Sequence, residues 1–168
     1  MENVINNTTT GAGSFNPDQF LIVPAKTFDD LQVGDVFRAP SRTLTDAHAS
    51  AFQTVSCDNH PIHCDAVYAK KYGHSAPVVH GLQVLAFTAP GATLFPHYIG
   101  AVFISFLELS CSFLKEVHLG DTLYPTLEII ELIPQQDKGI VTTRAAVHNQ
   151  HGELVLAGQH KYLLSRKP

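Results

Sequence analysis

The sequence predicts an α+β fold in which an antiparallel sheet wraps a central apolar helix, on three observations. Helical periods occupy the first part of the chain after its polar start. A long apolar stretch at residues 77–95 follows, and four long β-rich segments separated by turn signals fill the second half.

Residues 1–19 are rich in Asn, Thr and Gly without apolar periodicity and read as a flexible arm, leaving residues 20–168 as a single domain. From Phe28 a lead-in ending in Gly34-Asp35 delivers a strand from Val36 to Thr43. Thr45-Asp46 offers an N-cap for a helix through about Val55, with Ala47, Ala51, Phe52 and Val55 on one stripe. Asp65 caps a second short helix, Ala66 to Tyr72, which Gly73 ends. A third helix is expected to start near Gly81. Its Leu82, Val84, Leu85, Phe87 and Ala89 cover most of the circumference, so it should be wrapped on several sides. The β-rich segments Val102–Glu116, Thr122–Ile133, Gly139–His148 and Glu153–Leu164 are joined by short turns, which predicts an antiparallel meander.

Composition narrows the function. A chain of 168 residues with 45% apolar and 15% charged residues can bury a core of its own, and its sparing surface charge suits a homo-oligomer. The net charge of −4 disfavours nucleic-acid binding, because phosphate neutralisation needs a basic field. Three cysteines make no disulfide framework, and the first residues lack a cationic start followed by an apolar core. A cytoplasmic protein without signal peptide or membrane span is expected.

The chemistry concentrates in Cys57-Asp58-Asn59-His60-Pro61-Ile62-His63-Cys64-Asp65 and in Val78-Val79-His80-Gly81. Pro61 biases His60 away from helical backbone, so the segment turns and lets Asp58 and His63 face one point. A carboxylate and an imidazole converging on one water can activate it and return a proton, as hydration or dehydration of a double bond requires. Gly81, at the start of a helix, leaves its N–H open to a developing oxyanion. Asp58 could equally be a turn residue, and Gly81 a packing one. Cys57, His60, His63, Cys64 and His74 do not match zinc-ligand spacing, so no metal is expected. His80 reads as a structural residue bonded to backbone, Cys111 as a buried small hydrophobe, and His148, His151 and His160 as surface residues.

Asp58-x-x-Pro61-Ile62-His63, then Val79-His80-Gly81-Leu82 and Val117-His118-Leu119-Gly120-Asp121, resembles the MaoC-like dehydratases, the (R)-specific enoyl-CoA hydratase group of the hotdog fold, across about residues 28–165. The resemblance implies a hotdog domain in which the strands wrap a helix from Gly81 to Thr93, paired with a second copy as a homodimer or an oligomer of dimers. Asp58 and His63 would hold the catalytic water and the Gly81 N–H the thioester oxygen. Water would add to C3 of a trans-2-enoyl-CoA to give an (R)-3-hydroxyacyl-CoA, without metal or redox cofactor. His60, Pro61, His80, Leu82 and Thr88 are the candidate substrate-binding neighbours. The chain departs from the family pattern at His60, where Asn is usual, and near Thr88, a possible substitute for a serine that supports the aspartate. A thioesterase on the same scaffold and a non-catalytic acyl-CoA-binding subunit are the alternative readings.

Overall fold

Alternation of buried and solvent-facing residues builds the sheet. In a computed structural model that describes residues 21–167, Leu123, Pro125, Leu127 and Ile129 point to one side of their strand while their neighbours point away. The arm expected over residues 1–19 lies outside the described residues. Among the described residues six strands form: β1 (Val36–Arg38), β2 (Arg42–Thr43), β3 (Phe103–Phe113), β4 (Thr122–Pro134), β5 (Lys138–His148) and β6 (Leu154–Ser165). Their order is β1-β4-β5-β6-β3, with β2 also on β4 and every pairing antiparallel.

Three expectations change here. The strand expected from Val36 to Thr43 is two short strands, because Pro40 lies in the stretch between them and cannot donate to a ladder. The expected meander holds only for β4-β5-β6. β3 crosses over to pair with β6 (Leu109 opposite His160), leaving its other edge open among the described residues. Gly139, expected to open a strand after its turn, lies inside β5, where the Phe28 ring occupies the place a Cβ would take.

The helices are α1 (Asp46–Ser56), α2 (Ala66–Lys71), α3 (Gly81–Ala86) and α4 (Phe95–Ile99). The helix expected from Gly81 to Thr93 is broken. Pro90 lacks an N–H and its ring collides with the carbonyl four residues back, that of Ala86, where α3 ends; a 3₁₀ turn over Pro90–Ala92 and α4 follow. Nor is α3 wrapped all round, since Leu82 is 63% exposed.

One core cluster gathers Phe37, Phe95, Ile99, Leu127, Tyr162 and Leu164; a second gathers Leu44, Val84, Val117, Leu123 and Leu156 beside the candidate site. Each such side chain contributes about 1.5–3 kcal/mol on burial. His160, expected at the surface, is instead buried between helix and sheet. The Thr88 hydroxyl donates to the Leu85 carbonyl at 2.7 Å, so it accepts from His160 Nε2 at 3.3 Å, and the Tyr162 hydroxyl donates to His160 Nδ1 at 2.8 Å. Burial pushes the His160 imidazole below its ordinary range and the Tyr162 hydroxyl well above the ordinary phenol range. Cys111 is half-buried on β3, and its thiol is likewise raised by burial. Among the described residues no helix is long and apolar enough to cross a membrane.

Candidate active site

Cys57 ends α1 with φ +56°, the left-handed region, which redirects the chain at Asp58. His60 then adopts ψ 132°, as the following proline demands, and Pro61–His63 forms one 3₁₀ turn. Within this turn one carboxylate oxygen of Asp58, Oδ1, accepts from the His60 N–H at 3.3 Å, so the turn role anticipated for an aspartate is present. The other oxygen, Oδ2, lies 3.8 Å from His63 Nε2.

Two backbone carbonyls assign the imidazole protons. Val78 O lies 2.6 Å from His63 Nδ1 and can only accept, so Nδ1 carries the hydrogen and Nε2 of the neutral ring presents a lone pair beside Asp58. Asp58 O lies 3.0 Å from His80 Nε2, which therefore donates to it. The His80 ring, 5% exposed, stacks on His63 with centroids 3.8 Å apart and meets Phe52 of α1 at 5.2 Å. His80 is thus the residue that ties the start of α3 to the Asp58 turn and backs the His63 ring. The backbone-bonding role expected for it is what the geometry shows.

Gly81 follows as the first residue of α3 and lines, with His63, Val79, Phe113 and Val117, a cavity of about 380 Å³. A Cβ on Gly81 would lie 3.1 Å from Phe113 Cε1, so a side chain would crowd the strand that faces the helix start. Asp58 keeps 51% of its side chain exposed, so solvent reaches it.

Asp58, His63 and His80 are therefore brought together, with Gly81 adjoining. Pro61 shapes the turn. The His60 side chain is occupied locally, accepting from the Ile62 N–H at 3.3 Å and lying edge-on to Tyr68, while Leu82 faces solvent beside Gly81. Thr88 does not support the aspartate: it is buried, and its hydrogen bonds go to Leu85 and His160. The family resemblance offered it as a possible substitute for the supporting serine, but α3 ends two residues before it. Among the described residues, those that could hold a metal ion are Asp58, His63 and His80, whose ligand atoms lie within 4.8 Å of one another, and not the Cys57/Cys64/His74 set. Sequence reasoning missed the Val78 carbonyl, Phe52 and Phe113 as parts of the site. Phe52 was signalled as part of the α1 stripe; nothing local marks the other two.

The MaoC-like domain model matches residues 30–151. The chain is 32% identical over 142 residues to a mitochondrial 3-hydroxyacyl-[acyl-carrier-protein] dehydratase of Arabidopsis thaliana, covering 82% of this chain and 78% of that one. It is 29% identical over 133 residues to the (R)-specific enoyl-CoA hydratase of Aeromonas caviae, covering 77% and 92%. Among solved structures, a monoamine oxidase regulatory protein from Archaeoglobus superposes with a TM-score of 0.81 at 28% identity, covering 88% of this chain and 99% of that one. A double-hotdog protein from Mycobacterium tuberculosis superposes with a TM-score of 0.71 at 24% identity over 86% of this chain and 45% of that one, which places the fold as a hotdog. With the family model covering most of the chain and the Asp58–His63 pair assembled in front of Gly81, this protein belongs to the MaoC-like family of hydratases and dehydratases.

Proposed function

We propose that this protein catalyses the reversible hydration of trans-2-enoyl-CoA thioesters to (R)-3-hydroxyacyl-CoA, without metal or redox cofactor. The observation that carries this reading is the His63 tautomer: with Nδ1–H held by Val78 O, the Nε2 lone pair and Asp58 Oδ2 are two acceptors 3.8 Å apart. A water at ordinary hydrogen-bond lengths of about 2.8 Å from each can donate one proton to each, which aims its own lone pairs away from both. In the forward direction that oxygen attacks C3 of the enoyl chain. The proton it loses passes to the pair, and C2 receives a proton from it, so the site returns to its starting state. The enolate oxygen formed between these steps takes a hydrogen bond from the Gly81 N–H. Dehydration runs the same steps backwards.

A second copy of the chain fits the open edge of β3, where Phe103, Ile104, Phe106, Leu107 and Leu109 are exposed; a homodimer with one continuous sheet would pair that edge and cover them. The catalytic reading is tested with enoyl-CoA thioesters by following loss of the conjugated enone alongside free-thiol release. Enone loss without thiol release supports hydration; thiol release without enone loss would replace it with a thioesterase. Light scattering at micromolar protein reads the dimer.

A further inference from the structure

The Val78 carbonyl that fixes the His63 proton belongs to the segment between α2 and α3, and residues 74–79 of that segment meet residues 116–118, between β3 and β4. The backbone supplies two ties. Val78 and His118 form an antiparallel bridge, and the Val79 N–H donates to Val117 O at 2.7 Å. On its other side the Val78 N–H donates to Ile62 O at 3.0 Å, so Val78 joins these segments to the His63 turn. Side chains supply the remaining ties. His118 Nδ1 lies 2.9 Å from Pro77 O, which can only accept, so Nδ1 carries a hydrogen and donates it. His74 Nδ1 donates to Glu116 Oε1 at 2.7 Å, and the other oxygen of that carboxylate, Oε2, lies 3.5 Å from His118 Nε2. One carboxylate therefore stands between two imidazoles, and it also borders the cavity that His63 and Gly81 line.

The proton state of His118 decides how firmly this cluster holds. With Nδ1–H committed to Pro77, a neutral ring turns the Nε2 lone pair toward a carboxylate oxygen, two acceptors with no hydrogen between them. The Ser75 hydroxyl, 3.4 Å from Nε2, is then the donor within reach. A proton on Nε2 turns the contact into a charge-assisted hydrogen bond to Glu116, and both ring nitrogens then donate. Besides Glu116 and His74, the charged groups nearby are Asp121 and Lys115. Asp121 Oδ2 accepts from the His118 backbone N–H at 2.8 Å and favours the same proton, while Lys115 pairs with Glu153.

Resting on the hydration reading above, we infer that Glu116 is a positioning residue for His63: through His74 and His118 it holds the 74–79 segment, and with it the Val78 carbonyl that keeps the hydrogen on His63 Nδ1. Once that segment loosens, the ring turns or changes tautomer, and the Nε2 acceptor beside Asp58 is lost. The hold is firmest when His118 is protonated, and it weakens as the pH rises and that proton leaves.

Two variants of the full chain separate positioning from shape. Glu116→Ala removes both ties. Glu116→Gln keeps the size: its amide oxygen accepts from His74, and its amide N–H donates to the lone pair of a neutral His118 but opposes a protonated one. Nitrogen-15 NMR of the histidine rings, in folded protein at about pH 8.5 where imidazoles are ordinarily neutral, reads the His63 tautomer directly. The wild type should carry the hydrogen on Nδ1, and Glu116→Ala should show both tautomers. For hydration of trans-2-butenoyl-CoA, kcat of Glu116→Ala should fall about tenfold with KM little changed. The kcat ratio of Glu116→Gln to wild type should rise about threefold or more between about pH 5.5 and about pH 8.5, and titrations common to both proteins cancel in it. A single His63 tautomer kept in Glu116→Ala, a ratio flat with pH, or a change confined to KM overturns the inference. A wild type that leaves the butenoyl thioester unchanged sinks the hydration reading instead, and the NMR comparison still decides whether Glu116 sets the His63 ring.

Discussion

The sheet and the segment from α1 to the start of α3 are held together in contrasting ways. β4, β5 and β6 bury nearly every second residue, and Leu127, Ile129, Val141 and Tyr162 are wholly enclosed. In the other region α1 buries nothing, and Asp58 keeps about half its side chain in solvent. There the geometry rests on the Val78 carbonyl to His63, the Asp58 carbonyl to His80, the stack of His80 on His63, and the tilted contact of Phe52 with His80. Stability therefore sits in one region and chemistry in the other, so substitutions in the two should move different observables.

The sharpest separation comes from Asp58→Asn. The substitution removes one of the two acceptors and should lower the hydration rate by roughly 10²–10⁴-fold, while the melting temperature moves little because the side chain is half exposed. A rate within threefold of wild type would break the assignment of Asp58. The mirror experiment is Leu127→Ala, which opens a void in the enclosed core and should lower the unfolding free energy by about 2–5 kcal/mol in a denaturant titration. The rate per folded molecule should survive. If that rate falls in parallel, the two regions are not separable.

His80→Ala tests the join between them. Without the stack and the bond to Asp58 O, kcat on the butenoyl thioester should fall about tenfold or more, and a Phe at the same position should restore the stack but not the bond. Equal loss in both variants would locate the effect in the hydrogen bond.

His160 gives the stability of the sheet region a pH dependence. Burial keeps its folded-state affinity for protons low, so the unfolded chain binds a proton that the folded one refuses. Unfolding takes up that proton below about pH 6.5, and stability falls as pH falls from there through the depressed folded value. Denaturant titrations of wild type and His160→Gln across pH 5–7 should show a steeper decline in the wild type; parallel curves would remove His160 as the cause. The smallest effect belongs to Cys57. Cys57→Val puts a β-branched side chain in left-handed backbone and should cost about 1 kcal/mol, read by the same titration.

Much of this was legible in one dimension because its causes are local. Thr45 and Asp65 stand at helix starts, where the Asp65 carboxylate accepts from the Val67 and Tyr68 N–H groups, and Pro61 sets its own turn and the backbone of the residue before it. The sign of each side chain on β4 to β6 follows from a period of two. The Asp58–His63 pair was readable for the same reason: five residues and a proline suffice to face them toward one point. Gly81 was readable as a helix start, although the helix length was not, since an apolar period continues across Pro90 while the hydrogen-bond ladder does not.

Tertiary structure decided what depends on contacts far apart in the chain. That β3 pairs with β6 and not with β4 follows from which edge the later strands leave open, and no short-range signal carries it. His160 looked like a surface residue because a histidine in an alternating strand is polar by itself. Only the turn that follows α3, bringing the Thr88 hydroxyl, and Tyr162 two residues along made burial tolerable. The same holds for the His63 imidazole: the sequence by itself placed it near Asp58, but which ring nitrogen bears the proton was settled by a carbonyl fifteen residues away at Val78.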